Sequence, residues 1–495
     1  MGITTRTRGS KIMMRSPSDS RHARSSRLHG PRRRENLRAV AAVGLALALA
    51  YISSKSLAQA PAITGAETTP AVGTLVEQYF RTDADRDRNE LLTSIEKTAN
   101  GSIEAVADAV RRVMVWNPMP GGDIAIQTRT SGTITARYHG FLDLNPVPRH
   151  GLILCLPNDD EEADTNRTLN RAIAVLGPAF DDGCGLVALS RRIGGSFHQS
   201  PSDPDDLRFI IRELRKRIHI DTDQVYLYGN GRGGEAAWIA AMLHPDLFAG
   251  VITLSSYPRV PYPAQLYPIL LGNLRNLPVL SLWPASDKGS PDPRVESMAA
   301  HNRAIAELAQ RLSLPIRGLE APFEQSPLGH LPPWGSQEGP IQSLRAAVRP
   351  PPGRTVSHWF RYLGQGDVGW LHATKLAGDV WDDDQLSIVT SPTTDRDKFI
   401  SDVLKEKLFY LGGRIDGQTI HIETKGCAEI ELRLFDGMVD FARPITVLIN
   451  GRKRHEGLVR PSAATLLESA YEEWEFQRLA LAKLSFSIRA DSARE

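Results

Sequence analysis

Val225-Tyr226-Leu227-Tyr228-Gly229-Asn230-Gly231-Arg232-Gly233-Gly234 reads as a strand that runs straight into a cluster of glycines. Valine and tyrosine suit a pleated, buried surface. Four glycines within the next six positions then predict a sharp turn. Without a Cβ, glycine lets two backbones approach closely and reaches conformations closed to other residues. Glu235–Leu243 follows as an Ala-rich helix. Strand, strained turn and closely packed helix are therefore expected in that order, with Gly231 at the apex.

The same grammar extends in both directions. His244-Pro245-Asp246-Leu247-Phe248-Ala249-Gly250-Val251 leads from the helix through a turn into the next strand, Val251–Leu254. Val279–Leu282 and Ile316–Leu319 are further short strands, with a long helix, Arg294–Leu312, before the last. Upstream, Gly151–Leu156 (GLILCL) and Gly185–Ser190 (GLVALS) are continuous apolar runs, the mark of strands buried on both faces. An amphipathic helix over Asp205–Ile218 precedes the glycine turn, and Ile134–Leu144 reads as a strand or hairpin. Strands alternating with helices predict an α/β fold with a doubly wound, mainly parallel sheet.

Outside this region the pattern changes. Residues 75–113 carry a helical apolar period through Leu75, Tyr79, Phe80, Leu91, Leu92, Ile95, Ile103, Val106 and Val110. Arg349-Pro350-Pro351-Pro352-Gly353 marks a boundary. Beyond it, His358–Tyr362, Gly369–Ala373, Thr419–Glu423 and Ile430–Leu434 read as strands. Ile445–Ile449 meets Asn450-Gly451, a strong hairpin signal. A helix over Pro461–Leu479 and a strand over Lys483–Ile488 complete an α+β or β-sandwich-like module.

Charge is distributed unevenly. Residues 1–38 hold 11 Lys/Arg and 2 Asp/Glu, a local +9, which leaves −7 for the rest of a chain whose net charge is +2. No basic stripe remains to neutralise phosphates, so a nucleic-acid partner is not expected. The apolar run Ala39–Ile52 has 14 residues, short of the about 20 that span a bilayer, and suits the hydrophobic part of a signal peptide. Ala58-Gln59-Ala60 offers a small-x-small cleavage site. Pro61 after it disfavours cleavage, which leaves an N-terminal membrane anchor open. An exported location, periplasmic, envelope-associated or extracellular, is expected.

The elbow segment and its flanks resemble the α/β-hydrolase superfamily over residues 125–345, particularly secreted esterases and the polyhydroxyalkanoate-depolymerase-like and prolyl-oligopeptidase-like members. The resemblance implies a nucleophile elbow, G-x-S-x-G, with the triad in the chain order nucleophile, acid, base. Gly231 stands where the family has serine, so the acyl-enzyme route has no hydroxyl at that position. Asp287, in Trp283-Pro284-Ala285-Ser286-Asp287, matches the acid, and His330, in Gly329-His330-Leu331-Pro332-Pro333, matches the base. Gly229, Asn230, Arg232 and Gly233 complete the elbow, and Arg232 is positioned to supply an oxyanion N–H.

The family's other oxyanion donor, commonly at His-Gly after the third strand, is replaced by Leu156-Pro157-Asn158-Asp159-Asp160-Glu161-Glu162. Proline has no N–H, and carboxylates oppose a developing oxyanion. The acidic run itself reads as a solvated loop. The organisation expected is a basic leader and signal peptide or anchor over 1–60 and a linker with N-terminal helices over 61–123. An α/β-hydrolase domain over 124–348 and an accessory module over 354–495 follow.

Cys155, Cys184 and Cys427 give an odd count and no disulfide framework, with a Cys155–Cys184 bridge left open. No Walker loop, HExxH, CxxC pair or complete dinucleotide fingerprint occurs, and neither cofactor nor metal is expected. Three readings follow. The first is an impaired or inactive hydrolase-fold protein that binds a small molecule, an ester or peptide ligand, or an envelope protein. The second is an active ester or peptide hydrolase that recruits another nucleophile, with Ser255 and Ser256 closest in sequence. The third is a structural component of the envelope.

Overall fold

The structure, a computed structural model, describes residues 69–117, 121–128, 133–140, 150–180, 184–191, 203–258, 263–284, 297–321, 340–378, 380 and 395–488. The leader 1–60, Asp287, His330 and the acidic run Asp382–Asp384 lie outside the described residues. No helix among the described residues is long and apolar enough to cross a membrane.

Three helices come first: α1 (Thr69–Arg81), α2 (Asp85–Thr98) and α3 (Ile103–Arg111). The main sheet comprises β1 (Gly121–Gln127), β2 (Thr133–His139), β3 (His150–Leu156), β4 (Cys184–Leu189), β5 (Ile220–Asn230), β6 (Gly250–Leu254), β7 (Val279–Pro284) and β8 (Ile316–Ala321). Interleaved helices are α4 (Thr165–Phe180), α5 (Asp203–Arg217), α6 (Arg232–Leu243), α7 (Pro263–Leu271), α8 (Met298–Arg311) and α9 (Pro340–Arg345). The strand order is β1-β2-β4-β3-β5-β6-β7-β8. β1, β2 and β4 are joined by antiparallel ladders, and every other ladder in this sheet is parallel.

The continuous apolar strands are explained by burial on both faces. Side chains alternate across a strand. Leu152, Leu154, Val225, Leu227 and Val251 therefore face one core with α5, α6, α7 and α8. Ile153, Cys155, Tyr226, Tyr228 and Ile252 face the other with α4 and α9. Helix α6 is buried on every side from Gly233 to Leu243, which accounts for its alanines: it sits in the crowded middle, directly after the turn.

The cysteine question is answered by register. Cys184 pairs with Gly151 and Cys155 with Ala188, so the two thiols are four residues apart along neighbouring strands. All three cysteines are free and buried, and burial pushes the Cys184 thiol up to about 11.

The C-terminal module is a sandwich of two sheets. β9 (Thr355–Phe360), β12 (Phe409–Asp416), β13 (Thr419–Lys425), β15 (Ile445–Ile449) and β16 (Arg452–Gly457) form the five-stranded sheet. β10 (Asp367–Val368), β11 (Leu371–Leu376), β14 (Cys427–Phe435) and β17 (Ala480–Ser487) form the four-stranded one. Phe360, Leu411 and Ile422 meet Leu371, Ile430 and Leu432 in the core they share. Asn450 (φ +49°) and Gly451 (φ +76°) make the predicted hairpin turn between β15 and β16.

Helix α10 (Arg396–Lys407), not expected from the sequence, places Ile400 and Leu404 against the main-domain core. The helix expected over Pro461–Leu479 is shorter: α11 spans Ala463–Glu473. It stops because Trp474 turns left-handed (φ +49°) and Glu475 N–H closes back onto the Ala470 carbonyl. That stop delivers Trp474 and Phe476 to a core shared with Tyr79, Phe80, Ile95 and Val106 of the N-terminal helices.

Candidate functional site: the elbow at the end of strand β5

The predicted turn is present, and each glycine in it has a separate physical reason. Gly231 has φ +54° and ψ −120°, a strained region that other residues rarely enter. A Cβ at Gly229 would fall 2.1 Å from the Gly233 carbonyl oxygen. One at Gly233 would fall 2.3 Å from the Leu156 carbonyl oxygen, and one at Gly234 would fall 2.2 Å from Ser256 Oγ. Strand β5, the loop after β3 and helix α6 thus meet backbone to backbone. Gly231 N–H donates to the Leu254 carbonyl at 2.9 Å, which fixes the apex at the C-terminal edge of the sheet. Asn230, just before it, is buried at the end of β5.

The loop after β3 closes over this turn. Asn158 Oδ1 accepts a hydrogen bond from the backbone N–H of Arg232 at 3.0 Å. This is the donor that the sequence reading assigned to an oxyanion, and here it already has an acceptor. A Cβ at Gly231 would lie 2.6 Å from the same Asn158 Oδ1, so the carboxamide fills the space beside the apex.

The loop is built to hold it there. Asn158 N–H donates to Glu161 Oε2 at 2.9 Å, and Asn158 Nδ2 donates to Asp160 Oδ1 at 3.0 Å. Glu161 is 1% exposed and pairs with Arg171 of α4 at 2.6 Å. Asp160 pairs with Arg167 at 2.7 Å. Arg232 pairs with Glu235 at 2.8 Å and lies 3.6 Å from Asp159. The acidic run is exposed at Asp159, Asp160, Glu162 and Asp164, as expected of a solvated loop, and only Glu161 is buried. Arg171 of α4 neutralises Glu161, a partnership invisible in the local pattern because the cation comes from the following helix.

The two candidate serines fare differently. Ser256 is 2% exposed against Gly234, and its hydroxyl is buried without a partner. Ser255 is partly exposed, has φ +45°, and follows Leu254 directly beside Gly231. Among the described residues, no group of three or more His, Cys, Asp or Glu side chains is placed to hold a metal ion.

No protein-family model matches the chain. A curated relative, "Putative esterase NocK" of Nocardia uniformis subsp. tsuyamanensis, is 32% identical over 106 residues, 21% of this chain and 29% of that protein. Among solved structures, a thermostable esterase has 20% identity and a TM-score of 0.37, over 46% of this chain and 63% of its own. A hyperthermophilic esterase from the archaeon Pyrobaculum calidifontis has 13% identity and a TM-score of 0.34, over 57% of this chain and 97% of its own. The chain thus spans less than two thirds of the length of NocK and of the thermostable esterase. The fold itself is read from the sheet: eight strands in the order above, an antiparallel second strand, and a strained turn from the central strand into a buried helix. That architecture is an α/β-hydrolase fold.

Proposed function

We propose that this chain is an exported α/β-hydrolase-fold protein without serine-hydrolase activity, which binds a small molecule, an ester or peptide ligand, or a partner protein. The observation that carries the reading is Asn158. Its carboxamide takes the space beside Gly231 and the backbone N–H of Arg232, so both nucleophile and oxyanion donor are missing at one place. Covalent catalysis needs an activated nucleophile. Oxyanion stabilisation needs donors that are free when charge develops. A carbonyl oxygen brought to this turn meets an acceptor instead.

The test is a p-nitrophenyl butyrate assay together with labelling by a fluorophosphonate probe. Neither turnover nor labelling is expected from the wild-type chain. Export rests on the basic and apolar leader of residues 1–60. It is tested by cell fractionation with N-terminal sequencing, and retention of the whole chain in the cytosol refutes it.

A second reading, an active hydrolase with a displaced nucleophile, is favoured by Ser255. This residue directly follows Leu254, the register partner of Asn230, on a left-handed backbone at the C-terminal edge of the sheet. Strain of this kind clusters at functional positions. Fluorophosphonate labelling mapped to Ser255 and abolished in Ser255→Ala would replace the first reading with the second.

A further inference from the structure

Three Asn–Gly pairs occur in the chain: Asn100-Gly101, Asn230-Gly231 and Asn450-Gly451. Asparagine before glycine carries a chemical liability. The peptide nitrogen of the following residue can attack the carboxamide carbon of the asparagine side chain, and glycine, without a Cβ, leaves that approach open. Folded structure decides whether the attack takes place, because it fixes the carboxamide, the attacking nitrogen and the access of water.

Two of the pairs are protected. Asn230 is 5% exposed at the end of β5, and the Gly231 N–H is held by the Leu254 carbonyl at 2.9 Å. Asn450 is exposed, but the backbone of Thr424 clamps its carboxamide on both sides. Its Oδ1 accepts from the Thr424 N–H at 2.9 Å, and its Nδ2 donates to the Thr424 carbonyl at 3.1 Å. Asn100 has neither protection. It stands in the turn between α2 and α3, exposed together with Gly101 and Ser102. Its carboxamide has no hydrogen-bond partner among the described residues. Nothing lies within 4 Å of the place a Cβ would take at Gly101, so the space around the attacking nitrogen is open. The Gly101 N–H reaches the Glu96 carbonyl at 3.3 Å, a long bond at a helix end, where opening costs least.

We propose that Asn100 is a site of spontaneous modification, at which the carboxamide becomes a carboxylate through a succinimide ring. The Gly101 nitrogen loses its proton to solvent base and attacks Asn100 Cγ. The new C–N bond closes the ring, and the side-chain nitrogen leaves as ammonia. Water then opens the ring at either carbonyl. Opening at the side-chain carbonyl gives aspartate, and opening at the main-chain carbonyl gives isoaspartate. Water is the co-reactant throughout, and nothing is oxidised or reduced. The product carries a carboxylate just beyond the C-terminal end of α2, where the helix dipole is negative. As isoaspartate it also adds a methylene to the main chain of a turn flanked by Ala99 and Val106, which sit in the core shared with Trp474. This chemistry does not depend on whether the elbow is active.

The test is peptide mapping by mass spectrometry of the full chain after incubation in mildly alkaline buffer at physiological temperature. Trypsin places the three pairs in separate peptides, residues 98–111, 218–232 and 434–452. A gain of one mass unit, with isoaspartate in the fragment spectrum, is expected at Asn100. It should accumulate at least about tenfold faster than at Asn450, whose two backbone hydrogen bonds set that margin. In a chain unfolded by guanidinium chloride the rates should converge. Asn100→Gln should remove most of the isoaspartate that the folded chain forms. No conversion at Asn100 in the folded chain, or equal rates at Asn100 and Asn450, would overturn the proposal. So would isoaspartate undiminished in Asn100→Gln. A rate difference that persists in the unfolded chain would trace to local sequence and not to the fold, and would overturn it too.

Discussion

Replacing Gly231 by serine places a hydroxyl where the superfamily carries its nucleophile, and the structure sets the cost. Two terms add. Holding a residue with a Cβ at φ +54°, ψ −120° costs about 1–3 kcal/mol. The new Cβ would lie 2.6 Å from Asn158 Oδ1, so the carboxamide must move and release the Arg232 N–H, which costs a further ~1 kcal/mol. A loss of about 2–4 kcal/mol is therefore expected for Gly231→Ser. Asn158→Ala alone should lose about 1 kcal/mol, the worth of its hydrogen bonds. In the double variant the clash has gone, so the two losses should not add, and the coupling should reach about 1 kcal/mol or more.

Urea denaturation of the four proteins measures this cycle. The same proteins then report on chemistry. Gly231→Ser alone should stay inert to a fluorophosphonate, because the displaced Asn158 carboxamide still crowds the new hydroxyl. Gly231→Ser/Asn158→Ala should label weakly, and the further change His330→Ala should abolish the labelling. Gly231→Ser with wild-type stability and strictly additive energies would refute the claim that Asn158 occupies the position. Family-typical esterase turnover in Gly231→Ser alone would refute the claim that it blocks the site.

Three other expectations follow from the packing. Gly233→Ala puts a Cβ 2.3 Å from the Leu156 carbonyl oxygen and should cost about 1–3 kcal/mol; a neutral urea midpoint would show that strand and helix are not in backbone contact. Burial would raise the Glu475 carboxyl, but Arg349 and Arg215 outweigh it and hold the group at about 2, and it also accepts from Thr222 at 2.8 Å. Glu475→Ala should therefore cost about 3–5 kcal/mol by removing the nearer carboxylate partner of buried Arg349 and leaving it only Asp223 at 3.3 Å, and an unchanged unfolding midpoint would refute this. Burial pushes His244 down to about 3 and His358 to about 4, against 6.5 in an open chain. The unfolded state then binds protons first. Stability from this pair is complete above pH 6.5 and falls as pH drops below it, by up to about 1.4 kcal/mol per pH unit for each histidine. Thermal melts at pH 7 and pH 5 test the sign, and equal stability at both would contradict it.

Much of the fold was written in local pattern. Unbroken apolar runs at Gly151–Leu156 and Gly185–Ser190 demand burial on both faces, and only a sheet with helices on each side supplies it. The glycines at positions 229, 231, 233 and 234 required a close backbone approach, and Asn450-Gly451 required a hairpin. These features depend on neighbours a few residues away, so the chain states them directly.

Tertiary structure decided the rest, because the groups concerned are distant in the chain. Asn158 and Arg232 are 74 positions apart, and only the β3–β5 pairing brings the loop over the elbow. Glu161 reads as one more solvated carboxylate until Arg171 folds back on it from the next helix. Just past the end of helix α11, Glu475 finds its buried partner in Arg349, 126 positions upstream. A cavity lined by Arg208, Arg349, His372, Arg433 and Arg478 draws on α5, the proline-rich boundary, β11, β14 and the segment after α11. Charge compensation in a low-dielectric interior is a property of the assembled set: which arginine is left without a carboxylate is defined only once all of them are packed together.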